Sequence, residues 1–138
     1  MDCILEVHDA RIPFSGRNIN MLRRMASMKP IVLMLNKVDL VERAYLRVIE
    51  DRLRDASDAN YIPLKDIFFV NSKSITGYNN RLLSAIFDSV KDRFKSDSMI
   101  VERSANLLVM GIPNVGKSTV INRLRNVYMH KAGEATKT

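Results

Sequence analysis

A chain of 138 residues has room for one domain, and 46% hydrophobic with 27% charged residues is the composition of an ordinary globule. A single cysteine, Cys3, excludes an internal disulfide framework and a cysteine-rich zinc site, and two histidines do not by themselves build a metal centre. The net charge of +7 suits a polyanionic partner without demanding one, and no apolar stretch approaches the ~20 residues that cross a bilayer.

Met1-Asp2-Cys3 leads straight into strand-like sequence, with no targeting segment in view. The run Cys3 to Val7 predicts a buried strand, although Glu6 interrupts it. Met21, Leu22, Met25 and Met28 then recur at helical spacing and predict a core-facing helix. Ile31 to Leu35 predicts a second strand, followed by a helical stripe of Ala44, Tyr45, Val48, Ile49 and Leu53. A third strand is expected at Ile67 to Val70. The clearest stripe comes next: Leu82, Leu83, Ile86, Phe87, Val90 and Phe94, with Asp88, Lys91, Asp92 and Lys95 opposite. Residues 96–106 connect to a fourth strand, Leu107 to Met110, and a fourth helix carries Val120, Ile121, Leu124 and Val127. Strand and helix alternate throughout. That alternation predicts an α/β fold with a mainly parallel sheet of about four strands.

Gly111-Ile112-Pro113-Asn114-Val115-Gly116-Lys117-Ser118 matches G-x4-G-K-S/T in the required place, after a strand and opening a helix. Glycines let the backbone wrap phosphate oxygens and aim its N–H groups inward at a helix N-terminus. Lys117 can then reach the β- and γ-phosphates, and the Ser118 hydroxyl can ligate Mg²⁺. Asn114, Val115, Gly116, Lys117, Ser118 and Thr119 are the phosphate-site candidates, and the fold is expected to be a three-layer P-loop NTPase.

Asn36-Lys37-Val38-Asp39 directly follows the second strand. A carboxylate at Asp39 accepts from both N1–H and the exocyclic amine of guanine, a donor pair that adenine lacks. Asn36 would tie this loop to the phosphate loop, and the Lys37 stem would lie over the base. Asp39 is equally suited to cap the next helix, from Val41. After the third strand, Asn71, Ser72 and Lys73 form a polar turn able to offer a backbone N–H to guanine O6. The base-reading loops thus precede the phosphate loop, the reverse of an ordinary G domain. In a parallel sheet all three still meet on one edge.

That circularly permuted order, with Val7-His8-Asp9-Ala10-Arg11 and Ser15-Gly16-Arg17-Asn18, resembles the circularly permuted GTPases that assemble ribosomes, most closely their mitochondrial branch. The resemblance spans essentially the whole chain. It implies GTP hydrolysis, action on the large ribosomal subunit and its RNA, and a matrix location peripheral to the inner membrane. It also implies GTP or GDP with Mg²⁺ as ligands, and Asn114 as a potassium ligand.

One departure stands out. No aspartate is followed by glycine three residues later, so the Asp-x-x-Gly that holds Mg²⁺ and senses the γ-phosphate is missing. The expectation is therefore a permuted G domain over residues 1–138, truncated before the switch threonine and Asp-x-x-Gly segments. It should bind guanine nucleotide and hydrolyse it weakly or not at all. Two alternatives stay open: a nucleotide-dependent RNA-binding module without catalysis, and an ATP-dependent kinase in which Asp9 takes the magnesium-holding role. The positive charge leans toward the C-terminal end, where Lys117, Arg123, Arg125, Lys131 and Lys137 face Glu134 alone. Phosphate or RNA suits that bias.

Overall fold

Four short apolar runs become four parallel strands in a computed structural model that describes residues 3–71, 106–113, 115–123 and 125. They are β1 (Cys3–Asp9), β2 (Ile31–Asn36), β3 (Leu64–Phe69) and β4 (Leu107–Met110), in the spatial order β3-β2-β1-β4. β1 lies between β2 and β4, pairing Ile4 with Ile31, Asp9 with Asn36 and Glu6 with Met110. Every residue of β1 and β2 is buried, which is why both read as nearly unbroken apolar runs. β3 and β4 flank this pair and are only partly buried.

Two helices cover one face of the sheet. Helix α1 (Ile19–Ala26) buries Leu22 against Ile4, Ile31 and Ile62. Its N-terminus is capped by Asn18, whose side chain accepts from the Met21 N–H at 3.1 Å. Helix α2 (Arg43–Ala59) buries Leu53 beside Leu33, Leu35 and Ile67. On the opposite face Cys3, Leu5, Val7, Val32 and Met34 pack against Val115 and Val120, where the chain is helical over residues 117–123. The result is three layers with the sheet in the middle. Among the described residues no helix is long and apolar enough to cross a membrane.

Three details differ from the sequence expectation. β1 and β2 run on to Asp9 and Asn36, because ladder hydrogen bonds continue past the last apolar residue. The third strand starts at Leu64 and ends at Phe69, not Val70. Among the described strands it lies outermost, beside β2, where Lys65 and Asp66 are tolerated better than in a central strand. The helical stripes are also narrower than their apolar residues suggest. Met21, Met28, Tyr45 and Val48 are exposed, while Ser57 is buried on α2. Ile49, Leu53 and Ser57 form the line facing the sheet; Tyr45 and Val48 instead border a surface groove beside Pro13 and Phe14. The stripe at 82–94 lies outside the described residues.

Candidate nucleotide site

Parallel strands deliver all their C-terminal ends to one edge, and four polar or glycine residues arrive there together: Asp9, Asn36, Asn71 and Gly111. Open α/β sheets bind ligands at this edge.

The phosphate loop is fitted to β1 from below. A Cβ on Gly111 would stand 2.2 Å from the Val7 carbonyl oxygen, a backbone atom that cannot move aside. Only glycine fits. Gly116 has φ +95°, the left-handed region that side chains avoid, and this turns the backbone into the succeeding helix. The Val120 N–H then donates to the Gly116 carbonyl at 2.9 Å, and Val115 and Val120 bury themselves in the core. The Lys117 ammonium folds back across the loop and donates to the Gly111 carbonyl. Ser118 and Thr119 are both exposed in the first turn.

The loop Asn36-Lys37-Val38-Asp39 is held against it. Asn36 is buried at the end of β2, and its Nδ2 donates to the Val115 carbonyl at 2.9 Å, the tie expected between the two loops. Lys37 takes a left-handed conformation, φ 62° and ψ 37°, and Val38–Leu40 form a single 3-10 turn. Helix α2 has Glu42 at its N-cap, so Asp39 does not serve as the cap that its sequence position allowed. Its side chain is left exposed at the site edge. The Val38 N–H donates to the Val70 carbonyl at 3.2 Å, and the Val70 N–H to the Leu35 carbonyl at 2.8 Å. These bonds bring half-buried Asn71 beside Lys37-Val38-Asp39. Ser72, Lys73 and Asn114 lie outside the described residues.

Two charge clusters escaped the sequence reading. Glu6 is wholly buried in β1, yet it accepts from Arg17 Nε at 2.7 Å, Arg17 Nη2 at 3.0 Å and His8 Nε2 at 2.7 Å. Arg17 Nη1 also donates to the Ser57 hydroxyl of α2 at 3.0 Å. Burial pushes the Glu6 carboxyl up, but the hydrogen bonds from His8 and Arg17 outweigh it and hold it below its ordinary value. A charged residue inside an apolar strand needs a partner, and that need was the missed signal. The second cluster joins Asp9 to Arg11, whose Nη2 lies 2.7 Å from Asp9 Oδ2, and to Lys37 Nζ at 3.5 Å. Hydrogen bonds from Arg11 hold the Asp9 carboxyl down at about 2. Both its oxygens accept from cations, so Asp9 is poorly placed for the magnesium-holding role of the kinase alternative.

Residues 106–138, which include the phosphate loop, match the family model described as 50S ribosome-binding GTPase. Relatives match over nearly all of this chain. Mitochondrial GTPase 1 of Aedes aegypti is 34% identical over 96% of it, and mitochondrial ribosome-associated GTPase 1 of Xenopus tropicalis is 35% identical over 99%. Over nearly its whole length the chain is thus similar to proteins named as mitochondrial or ribosome-associated GTPases. Ribosome biogenesis GTPase A of Bacillus licheniformis is 33% identical over 97% of the chain, so the likeness reaches bacteria. The chain spans 41% of the length of the first two relatives and 45% of the third. All three carry GTPase names.

Proposed function

We propose that residues 1–138 are the guanine-nucleotide-binding part of a GTPase serving the large ribosomal subunit of mitochondria. The observation that carries this reading is the Asn36 bond to Val115, which joins the base-reading loop to the phosphate loop. In it, Asp39 accepts the paired donors of guanine, the Lys37 stem covers one face of the base, and a backbone N–H of Asn71, Ser72 or Lys73 meets O6. Residues 114–119 enclose the phosphates, and Lys117 leaves the Gly111 carbonyl for a phosphate oxygen.

The donor set suits magnesium. Among the described residues no group of three or more His, Cys, Asp or Glu gathers. A hard oxygen donor such as Ser118, acting together with phosphate oxygens, is the usual way a protein holds that ion. Magnesium, when bound, neutralises charge on the β- and γ-phosphate oxygens. Asn114 is our candidate for a potassium ligand beside it. Phosphoryl transfer asks the protein mainly for positioning and electrostatic stabilisation, and Lys117 with the loop N–H groups provides both. The domain reading rests on the same parts: a circularly permuted G domain whose switch threonine and Asp-x-x-Gly lie outside these residues. The ribosome and the mitochondrion belong to the proposal through the names of the relatives, and ribosomal RNA, the matrix and the inner-membrane periphery only through the family resemblance of the sequence.

The test is a titration of this chain with a fluorescent GDP analogue, competed by GTP and ATP, followed by co-sedimentation with mitochondrial large subunits. GTP should compete and ATP should not. Equal competition by ATP would remove the guanine assignment, and nucleotide-independent absence from the large-subunit fraction would remove the ribosomal one.

A further inference from the structure

The segment that leaves β1 reaches the base-reading loop with both its backbone and its charges. Asp9 ends β1 opposite Asn36, and the Ala10 N–H donates to the Asn36 carbonyl at 2.8 Å. The chain then turns back, with the Ile12 N–H on the Asp9 carbonyl at 3.1 Å. Arg11 locks the Asp9 carboxylate from two sides. Its backbone N–H lies 2.9 Å and its Nε 3.0 Å from Oδ1, and its Nη2 lies 2.7 Å from Oδ2. Oδ2 also faces Lys37 Nζ at 3.5 Å.

Lys37 is one of two non-glycine residues at positive φ among the described residues. Glycine takes φ 62° without the steric cost that a Cβ brings. A residue kept in such a conformation must be held by its surroundings, and strain of this kind gathers at functional sites. The backbone bonds flanking it, Val38 to Val70 and Leu40 to Lys37, hold the turn. The ion pair with Asp9 acts on the lysine arm in addition.

We propose that Asp9 is a positioning residue: its carboxylate, locked by Arg11, holds the Lys37 arm so that the aliphatic stem covers the face of a bound guanine. This rests on the guanine-nucleotide reading above.

The experiment measures dissociation of fluorescent GDP and inosine diphosphate from the full chain, in a cycle of Asp9→Asn, Lys37→Met and the double variant. Lys37 is partly exposed, so Asp9→Asn should speed GDP release only about three- to fivefold. In the Lys37→Met background the same change should have almost no effect. The ratio of GDP to inosine diphosphate affinity should stay at the wild-type value, because the stem meets the face of the base and not its 2-amino edge. Should Asp9→Asn melt below the assay temperature, Asp9→Glu carries the same cycle, with any effect again confined to chains that keep Lys37. An Asp9 effect of full size without Lys37, or an altered nucleotide ratio, would overturn the proposal. A wild-type chain that binds neither nucleotide would instead remove the guanine reading on which it rests.

Discussion

Asn36 and Val115 stand 79 positions apart and share one buried hydrogen bond, 2.9 Å from the amide nitrogen to the carbonyl oxygen. Among the described residues no backbone ladder joins the two loops at that point, so this side chain bears on how close the Asn36-Lys37-Val38-Asp39 loop stands to the phosphate loop. Asn36→Ala leaves the Val115 carbonyl buried without this donor, which costs about 1–3 kcal/mol. Denaturant unfolding should show that loss, and GDP affinity should fall by about tenfold or more because the loops drift apart. Stability lost with affinity unchanged would show that the loops hold their spacing without the tie.

Asp39 is exposed and has no capping duty on α2, which makes it a clean target. Asp39→Asn should weaken GTP by about 1.5–3 kcal/mol through loss of charge-assisted bonds. It should also improve binding of xanthosine triphosphate, whose altered edge accepts where guanine donates. The fold should not change, so melting temperature is the control. Unaltered selectivity between the two nucleotides would mean that another residue reads the base.

Lys117→Ala removes the cation that reaches into the phosphate loop, and both GDP and GTP should bind more weakly to similar degree. The unmodified chain should discriminate little between them, because it contains no Asp-x-x-Gly to sense the third phosphate. A complete small GTPase acting alone turns over at about 10⁻⁴ s⁻¹, and single-turnover assays on this chain should fall below that rate. Faster turnover would require another residue here to supply the missing contact.

Glu6 and Arg17 form an ion pair with side chains 1% and 3% exposed, and removing one partner strands the other. Arg17→Met should therefore destabilise the fold by about 3–5 kcal/mol, a large part of the stability of a domain this size. Glu6→Gln should be milder, since the amide oxygen still accepts from Arg17. Thermal melts of the three chains at neutral pH give the ranking, and Glu6→Gln falling below Arg17→Met would contradict it.

Acid should act through the same carboxylates. Glu6 and Asp9 are both depressed in the folded chain, Glu6 below 4.5 and Asp9 from 3.8 to about 2. Groups depressed by folding contribute stability that is complete above their unfolded values and disappears as pH falls through the folded ones. Melting temperature should thus hold between pH 7 and roughly 5.5, then drop most steeply between about 4 and 2. The gap between wild type and Glu6→Gln should narrow over the same interval. A constant gap down to about pH 2 would show that Glu6 is not titrating there.

Much of this architecture was legible in the chain itself. Residues such as Ile31 to Leu35 are apolar without interruption because their strand is covered on both faces, so local pattern and burial coincide. Gly111, Gly116, Lys117 and Ser118 are equally readable, since a loop that wraps phosphate has few chemical solutions and a short, contiguous one. Asn36-Lys37-Val38-Asp39 owed its meaning to its place after a strand. Tertiary structure decided what depends on separated segments meeting. Glu6 looked like a flaw in a strand until Arg17, eleven residues on, reached it from a loop and Ser57 of α2 joined them. Tyr45 and Val48 looked like core until the width of the sheet left them outside it. Asp9 was ambiguous between a metal ligand and a loop residue until Arg11 and Lys37 closed on its oxygens. Periodicity reports which face of an element is apolar, because that is written in neighbouring residues. Which charge meets which is set by the distances that folding creates.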